Sequence, residues 1–372
     1  MRTLIVVPQW VGDCVMALPV IEALAASGRD LVVLARQPLH PLLRLAPGVG
    51  ELVERDADDR ATVERLRAAR CEEAVLLQGS VRAARLAKQA GIRYRWGYAG
   101  ALHLEALLRR PLPHVGRFVS WAASAPLRTA LLAPPVPHPA TRRRPQVEDF
   151  RELLAAMGVA PPSSWVPKLE LSPAVRAGGA ERLARGHVEV GRGPIVGLFP
   201  GAEFGPAKRW PWRRFAELAH ELRRAVPGAQ NVIIAGPKEV WLAVRVHEES
   251  GKIHPVIGPD LDLAGLAAVL AHLELLVTND SGPMHLAAAL GVRCVALFGP
   301  TDARRTAPAG EGHQVLGSQR WCVPCLRRRC PLLHQGCLRD TTVEQVLAAC
   351  RTAIDERASA TAGQGGKGPL NL

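Results

Sequence analysis

Three segments of the chain combine glycine with charged or hydroxyl-binding side chains, the composition of loops that bind phosphates and sugars. They are Pro8–Asp13 (PQWVGD), Pro200–Pro211 (PGAEFGPAKRWP) and Thr278–His285 (TNDSGPMH). Glycine lets backbone amides approach a ligand closely, and amides at the start of a helix attract anions. We therefore expect the chemistry of this protein to involve these three loops.

The first loop offers a candidate general base. Gly12 permits a tight turn from a strand into a helix, and Asp13 falls at the start of that helix. One interpretation is structural, with Asp13 as the N-cap residue that accepts a backbone N–H. The other is catalytic, with the carboxylate taking a proton from a substrate hydroxyl. This loop alone does not decide between them.

The second loop is a candidate diphosphate site. Backbone amides around Gly201, Ala202 and Glu203, together with the adjacent cations Lys208 and Arg209, could surround a diphosphate. The loop contains neither the Gly-Lys-Ser/Thr of a Walker loop nor the G-x-G-x-x-G of dinucleotide-binding oxidoreductases. The alternative is an ordinary strand-to-helix loop with two solvent-exposed cations, which the length and paired glycines disfavour.

The third loop combines helix-capping residues with candidate ligand contacts. Asp280 or Ser281 is predicted to cap the following helix, and Pro283 suits its first turn. The amides of Ser281 and Gly282 would then point at an anion, and Asp280 could accept hydrogen bonds from sugar or ribose hydroxyls. His285 lies one turn inside the helix and could donate to a phosphate. A lone helical histidine is commonly structural, but this position favours the functional interpretation.

The sequence around these loops alternates short β-branched runs with amphipathic stretches, which is typical of parallel sheets with crossover helices. Strands are predicted at 3–7, 31–35, 74–77, 194–199, 231–235, 275–278 and 294–298. Helices are predicted at 15–26, 61–69, 82–90 (followed by Gly91), 147–157, 215–225, 263–270, 284–290 and 343–354. Each of the three loops therefore follows a predicted strand.

Two proline clusters, at 133–145 and 161–167, indicate a boundary between two domains. We expect a Rossmann-like N-terminal domain at 1–170, a second Rossmann-like domain at 171–357 and a disordered tail at 358–372. Two such α/β units create a crevice, and open parallel sheets bind ligands beyond the carboxyl ends of their strands.

The composition indicates a folded protein with a basic surface. The 372 residues carry a net charge of +13, and no apolar run is long enough for a signal peptide or a membrane helix, so we expect a cytoplasmic protein. The cations concentrate between residues 74 and 147, where Glu105 is the only acid. They could attract an anionic substrate or membrane, or simply solvate helices. A nucleic-acid binder is disfavoured because aromatic residues total 4%.

Four of the eight cysteines form a cluster near the C-terminus. Cys322, Cys325, Cys330 and Cys337 give the spacing C-x2-C-x4-C-x6-C, with His334 inside. This spacing is compatible with a structural zinc ion, although zinc sites more often pair two C-x2-C motifs. The alternative is a set of reduced thiols in a loop, as expected for a chain without an export signal.

The second and third loops resemble the signature of the heptosyltransferase II group in glycosyltransferase family 9. The resemblance rests on PGAEFGPAKRWP at 200–211, TNDSGPMHLAAALG at 278–291 and ALFGP at 296–300. The start, VVPQWVGD, is similar to the first loop of the family, although Gln9 stands where a small residue is expected. The resemblance spans nearly the whole chain and is weakest between residues 100 and 190. It implies a GT-B glycosyltransferase with two Rossmann-like domains facing a central crevice.

The resemblance also implies a reaction and a role for each loop. ADP-L-glycero-β-D-manno-heptose would bind the C-terminal domain, and heptose-Kdo2-lipid A at the inner membrane would bind the N-terminal domain. Transfer would proceed with inversion and without an obligatory cofactor. Asp13 matches the general base, Lys208 the residue that neutralises the leaving diphosphate, and Asp280, Gly282 and His285 the donor-binding positions. The alternatives are a heptosyltransferase of type I or III, or a GT-B-fold sugar-nucleotide epimerase.

Overall fold

In this computed structural model the described residues are 1–99, 126–137 and 144–364, with side chains described as far as residue 357. The chain divides into two compact units, Met1–Trp165 and Val166–Leu372. Each unit is built around one six-stranded sheet. The domain boundary expected after residue 170 lies a few residues beyond this division.

The N-terminal unit has a parallel sheet in the strand order β3-β2-β1-β4-β5-β6. This is the order of doubly wound nucleotide-binding folds, in which the direction of winding reverses beside the first strand. The strands are β1 Arg2–Val6, β2 Asp30–Ala35, β3 Glu51–Glu54, β4 Glu73–Leu76, β5 Tyr94–Tyr98 and β6 Pro135–Val136. The strands predicted at 3–7, 31–35 and 74–77 are confirmed as β1, β2 and β4, which have almost continuous apolar runs because both faces are buried.

The helices of this unit correct two predictions. They are α1 Val11–Met16, α2 Leu18–Ala26, α3 His40–Leu43, α4 Asp59–Ala68, α5 Val81–Gln89, α6 126–131 and α7 Arg151–Ala156. The single helix predicted at 15–26 is wrong, since α1 starts earlier and ends before Ala17. Pro19, in the first turn of α2, has no N–H with which to continue the hydrogen-bond ladder of α1. Helix α1 therefore begins within the first loop, at Val11.

The helix predicted at 147–157 is also interrupted. A 3₁₀ turn at Gln146–Glu148 precedes α7, and Phe150 between them has a non-helical backbone. The Tyr98 hydroxyl donates to the Asp149 carbonyl, which ties this break to the end of β5. The interruption leaves Gln146 on a separate turn from the helix that follows.

Arginines of the basic region stabilise this unit where the structure describes them. Arg82 and Arg85 both pair with Asp59, at 2.6 and 2.5 Å. Arg144 binds Glu152 through two guanidinium nitrogens, and Arg128 is buried with a bond to the carbonyl of Gln78. The described contacts support the structural interpretation for these arginines. The part of the basic region that lies outside the described residues includes Glu105, Arg109, Arg110, Arg117, Arg142 and Arg143.

The C-terminal unit repeats the same topology with the strand order β12-β11-β10-β7-β8-β9. All of its neighbouring strands are parallel. The strands are β7 Ile195–Phe199, β8 Gln230–Ile234, β9 Val256–Ile257, β10 Leu275–Asn279, β11 Arg293–Phe298 and β12 Gln314–Gly317. The order reverses between β7 and β10, so the second and third loops lie side by side at the switch point.

Eight helices of the described C-terminal unit flank its sheet. They are α8 Pro173–Arg185, α9 Trp212–Ala225, α10 Val240–Glu249, α11 Leu263–Leu270, α12 Gly282–Ala289, α13 Ala303–Thr306, α14 Gly336–Arg339 and α15 Val343–Gln364. No helix is predicted at α8, because glycines lower helix propensity. Gly179 is nevertheless required there, since a Cβ at this position would lie 2.2 Å from the Ala268 carbonyl oxygen of α11.

The last helix is longer than the pattern at 343–354 predicts. Its backbone is helical to Gln364 and so enters the segment expected to be a disordered tail, whose last residues, 365–372, lie outside the described part. Within the described part of the chain, no helix has both the length and the apolarity needed to cross a bilayer.

Candidate active site

The three loops leave the carboxyl ends of central strands. The first follows β1, the second follows β7, and the third follows β10. In each unit these strands flank the point where the strand order reverses. The elements therefore place the predicted residues where open parallel sheets bind ligands.

Asp13 belongs to the first turn of α1 and is not its N-cap. The N-cap is Trp10, whose side chain makes no capping bond, so the N-cap interpretation of Asp13 is wrong. The Asp13 carboxylate is half-buried, and its Oδ1 accepts a hydrogen bond of 2.9 Å from Gln146 Nε2. Gln146 is on the 3₁₀ turn that precedes α7, more than a hundred residues along the chain, and it holds the carboxylate in one orientation.

A cavity of about 410 Å³ opens beside Asp13. Three glutamines, one serine and two aromatic residues contribute to its wall. The described lining contains one carboxylate and neither lysine nor arginine, so it suits a neutral, hydroxyl-rich ring better than an anion. The lining residues are Pro8, Gln9, Trp10, Asp13, Met16, Leu77, Gln78, Gly79, Ser80, Gln146 and Phe150.

Gln9 provides an unsatisfied polar atom in this wall. Its Nε2 donates to the Val7 carbonyl at 2.8 Å, while its buried Oε1 has no hydrogen-bond partner. A buried acceptor without a partner is costly, and a substrate hydroxyl would satisfy it. The sequence singles out Gln9 only as a departure from the small residue expected there.

In the C-terminal unit, Lys208 and Asp280 form a buried ion pair. Lys208 Nζ lies 2.6 Å from Asp280 Oδ2, and the two side chains are 13% and 5% exposed. The Thr301 hydroxyl donates to the same oxygen at 2.5 Å. Thr301 follows β11 directly after the ALFGP segment, and neither its type nor its spacing selects it in the sequence. The structure thus joins the second and third loops through one carboxylate.

Asn279 fixes the backbone of the second loop. Its Oδ1 accepts from the Trp210 N–H at 2.9 Å, and its Nδ2 donates to the carbonyls of Pro200 and Gly201 at 2.9 and 3.1 Å. Trp210 is itself buried and packs edge-on against Phe215, with ring centroids 5.0 Å apart. The sequence marks Asn279 only as a capping type, whereas in the fold it connects the two ligand loops.

Glu239, which no sequence pattern selects, lies beneath the second loop. Its Oε1 accepts from the Ala202 N–H at 2.8 Å and from Arg209 at 2.7 Å. A Cβ at Gly201 would lie 2.4 Å from Glu239 Oε2, so a larger residue there would displace the Glu239 carboxylate from this position. Arg209 and the Ala202 amide therefore brace the loop in this structure, while the exposed Glu203 pairs with Lys238 at 2.6 Å. Their substrate-binding roles stay predictions.

The third loop begins α12 as predicted. Ser281 is the N-cap, although its side chain makes no capping bond, and Gly282 and Pro283 start the helix. The Ser281 hydroxyl instead lies 3.2 Å from the Thr278 hydroxyl. The first amides of α12 are therefore presented at the edge of the sheet beside the Lys208–Asp280 pair.

His285 is a buried, neutral imidazole at neutral pH. Its pKa is lowered to about 4, chiefly by burial, while the Asp280 carboxylate acts to raise it and the Lys208 ammonium lowers it further. A neutral imidazole can donate one ring N–H without adding a charge. This is consistent with the predicted contact to a phosphate.

The lowered pKa of His285 makes stability depend on pH. In the unfolded chain a histidine has a pKa of about 6.5, so between pH 6.5 and 4 the unfolded state binds more protons. Stability is thus present above the unfolded pKa and is lost as the pH falls towards the folded pKa. The unfolding free energy of the wild type should fall between about pH 7 and 5, and in the His285→Asn protein this fall should be smaller by roughly 2 kcal/mol. Urea unfolding measures this, with His254→Gln as a comparison.

His254 provides that comparison because its pKa is also lowered to about 4, by burial and then by nearby cationic groups, away from the ligand loops. We expect His254→Gln to flatten the same pH window. A His285→Asn protein with the pH slope of the wild type would contradict the neutral imidazole.

The four clustered cysteines share one neighbourhood. Burial raises the pKa of the Cys337 thiol, and the charges of Cys325, Cys322 and Cys330 raise it further. In the part of the chain that the structure describes, however, no three His, Cys, Asp or Glu side chains are grouped closely enough to hold a metal ion. The structural zinc ion therefore stays a prediction.

Sequence comparisons relate the chain to sugar transferases. The model of a family described as "Glycosyltransferase family 9 (heptosyltransferase)" matches residues 106–335. Lipopolysaccharide heptosyltransferase 2 of Escherichia coli K12 is 27% identical over 339 residues, covering 85% of this chain and 88% of that protein. Lipooligosaccharide heptosyltransferase 2 of Campylobacter jejuni serotype O:2 is 34% identical over 167 residues, so the matched region spans about half (51%) of that relative.

Solved structures have the same architecture. The structure of E. coli ADP-heptose lps heptosyltransferase II is 25% identical, with a TM-score of 0.75, and covers 96% of this chain and 100% of that one. A family 9 glycosyl transferase from Veillonella parvula has a TM-score of 0.77 at 20% identity, covering 95% and 97% of the two chains. The expected GT-B class, with its two Rossmann-like parallel sheets, is confirmed.

Proposed function

Because the chain belongs to glycosyltransferase family 9, the heptosyltransferase family, we propose that it transfers heptose from ADP-heptose to the heptose-Kdo2-lipid A core of lipopolysaccharide. The observation that carries this proposal is the buried Lys208–Asp280 pair beside the N-terminus of α12. It combines a fixed cation, a hydroxyl acceptor and helix amides, which suits a nucleotide-diphosphate sugar. Relatives bearing the name heptosyltransferase 2 support the choice of acceptor.

In the proposed reaction Asp13 is the general base. It takes the proton from one hydroxyl of the acceptor heptose as that oxygen attacks the anomeric carbon of the donor. The bond from this carbon to the diphosphate oxygen breaks, ADP leaves with the electron pair, and the configuration inverts. In this proposal the hydrogen bond from Gln146 Nε2 to Asp13 Oδ1 helps to position the carboxylate. The neutral cavity beside Asp13 would hold the acceptor ring.

The C-terminal loops stabilise the leaving group in this proposal. Lys208 carries three N–H donors and uses one of them on Asp280, so others remain for a phosphate oxygen. The Ser281 and Gly282 amides at the start of α12 add partial positive charge. Asp280 in turn accepts from a hydroxyl of the donor, and the neutral His285 donates to a phosphate. Charge that develops on the departing ADP thus meets groups that are already oriented.

The proposed acceptor implies a location for the enzyme in the cell. A lipid-linked core intermediate lies in a membrane, so we place the protein at the cytoplasmic face of the inner membrane, bound peripherally. An anionic leaflet attracts basic surfaces, in agreement with the net charge of +13.

The function is tested by offering ADP-heptose together with lipid A cores that carry no heptose, one heptose or two. We expect the one-heptose core to gain the mass of one heptose and the anomeric configuration to invert, by mass spectrometry and NMR. Extension of the heptose-free core would indicate a type I enzyme, and extension of the two-heptose core a type III enzyme. Isomerised donor without any acceptor would indicate an epimerase.

The cysteine spacing gives a separate prediction, in which the four thiolates must lie closer together around a zinc ion than they do in this structure. Elemental analysis of the purified protein should find about one zinc ion per chain, held by thiolates and lost in a Cys322→Ser/Cys325→Ser protein. Cys71→Ser, which changes a cysteine of the N-terminal unit, is the matched control and should keep the metal. Two results together would contradict this prediction. The purified wild-type protein would contain no metal and would have four thiols at 322–337 that react with a thiol reagent, and its melting temperature would not rise when zinc is added.

A further inference from the structure

The segment 318–335, which connects β12 to α14, exposes an unusual concentration of apolar side chains. Trp321 is 86% exposed, Leu333 87%, Leu326 63% and Leu332 45%. A soluble surface normally leaves large apolar side chains exposed one at a time rather than four within thirteen residues. We refer to this segment as the 318–335 loop.

The same loop is strongly basic. Between residues 312 and 339 the chain has five arginines and no acid. Two of these, Arg320 and Arg339, lie near Asp340, and Arg320 pairs with it at 2.5 Å. Among the ion pairs of the described residues none involves Arg327, Arg328 or Arg329, so their charges are not neutralised by a neighbouring carboxylate. Tryptophan and leucine beside unpaired arginines are the composition of surfaces that lie in a lipid headgroup region.

Two of the exposed leucines lie at unusual backbone positions. Leu326 and Leu333 both have positive φ angles, 54° and 58°, a conformation that bulky residues rarely adopt. Arg320 near the start of the loop pairs with Asp340 after α14, and at the other end the Gly336 N–H donates to His334 Nδ1 at 2.7 Å within a local turn. Such strain persists where surrounding contacts impose it, and it is common at functional positions.

The loop is also joined to the second loop and to the segment after β11 that leads into Thr301. The Leu326 N–H donates to the Pro300 carbonyl at 2.8 Å, one residue before Thr301. The Ala207 N–H, one residue before Lys208, donates to the Arg328 carbonyl at 3.1 Å. The Arg328 guanidinium and the Lys208 ammonium both lie over the Phe204 ring. Whatever the loop binds is therefore held close to the donor site.

From these observations we propose that the 318–335 loop is a membrane-docking element. Trp321, Leu326 and Leu333 insert into the headgroup boundary of an anionic bilayer, and Arg327 and Arg329 contact lipid phosphates. The docking keeps the donor-binding unit at the lipid surface. This inference rests on the proposed function only for its purpose, a lipid-linked acceptor, since docking itself needs no transfer activity.

The test is co-sedimentation of the full-length protein with lipid vesicles. Wild-type protein should bind vesicles of phosphatidylglycerol and phosphatidylethanolamine and should bind phosphatidylcholine vesicles far more weakly. Trp321→Ser/Leu333→Ser should lower the partition coefficient on the anionic vesicles about tenfold. Arg327→Gln/Arg329→Gln should lower it about 25-fold, at about fivefold for each arginine near an anionic surface. Trp321 and Leu333 are the most exposed of the large apolar side chains in the loop, so we expect the Trp321→Ser/Leu333→Ser protein to have the melting temperature of the wild type.

Matched controls change side chains of the same kinds at other exposed positions of the same unit. Val190→Ser/Ile253→Ser removes two exposed apolar side chains, and Arg185→Gln/Arg351→Gln removes two exposed cations. Both controls should bind as the wild type does. Equal vesicle binding by the loop variants and the wild type, or no binding by the wild type, would overturn the proposal. The proposal would also be overturned if the loop variants bound vesicles as the wild type does but had lost affinity for duplex DNA or for a second copy of the chain.

Activity assays separate this inference from the proposed function. On a delipidated, water-soluble core oligosaccharide the loop variants should match the wild type, while on acceptor in anionic vesicles they should be slower. A wild-type protein that transfers heptose to no acceptor would contradict the proposed function, and its vesicle binding would still decide the role of the loop.

Discussion

Asp13→Asn should lower kcat for heptose transfer by about 10²- to 10⁴-fold, the usual contribution of a positioned general base. The amide cannot take a proton, but its Oδ1 can still accept the 2.9 Å hydrogen bond from Gln146 Nε2. The loop and the cavity should therefore keep their shape, and the affinity for ADP should not change. Steady-state kinetics with saturating donor, together with calorimetric ADP binding, measure the two effects.

The control for Asp13 is Asp30→Asn, which changes an exposed carboxylate at the start of β2 and should leave kcat unaltered. Undiminished transfer by the Asp13→Asn protein would remove Asp13 from the reaction and leave it a structural role in the first turn of α1.

Lys208→Gln should have the second large effect, a fall in kcat of about 10²- to 10³-fold, as expected when one preorganised contact to a developing negative charge is lost. It should also destabilise the fold, because Asp280 then remains buried with only the Thr301 hydroxyl to offset its charge. Breaking one side of a buried ion pair commonly costs about 3–5 kcal/mol. Activity must accordingly be compared at a temperature where both proteins are folded.

A double variant separates the two consequences of removing Lys208. Lys208→Gln/Asp280→Asn has no uncompensated charge, so its melting temperature should return towards that of the wild type. Its kcat should stay low, because the cation that we propose for stabilising the leaving diphosphate is still missing. Recovery of activity in the double variant would show that Lys208 serves only to neutralise Asp280. Lys168→Gln, an exposed lysine of the same unit, is the charge control.

The repeating architecture could be predicted from the sequence because it depends on local patterns. Buried parallel strands are continuous apolar runs, so β1, β2, β4, β7, β8, β10 and β11 are recognisable. The short edge strands β3, β6 and β9 bury fewer side chains and leave little pattern. Helix α8 could not be predicted for a different reason. Gly179 lowers its helix propensity, but close packing against α11 requires a glycine at this position.

The candidate site could be predicted only where its residues lie together in the sequence. Lys208, Asp280 and His285 lie in glycine-rich loops after recognisable strands, and the fold brings them together. Their partners come from distant positions that no spacing reveals. Gln146 reaches Asp13 from another turn, and Glu239 and Thr301 follow other strands. Such contacts depend on how the elements pack, which hydrophobic periodicity does not encode.

The N-cap interpretation of Asp13 failed for a related reason. Capping statistics favour aspartate at the start of a helix, but the helix here begins at Val11, two residues before Asp13. A shift of two residues converts a predicted cap into a side chain on the face of the first turn. Helix boundaries depend on tertiary contacts, so this distinction needed the structure.

The central claim is that the chain couples attack by an acceptor hydroxyl to the departure of ADP, and acceptor-dependent ADP release tests it most directly. ADP is measured after mixing ADP-heptose with the protein, with and without heptose-Kdo2-lipid A. We predict one ADP for each heptose added to the core, little ADP without acceptor, and almost none from the Asp13→Asn protein. ADP release that does not depend on any core acceptor, or no release at all, would contradict the claim.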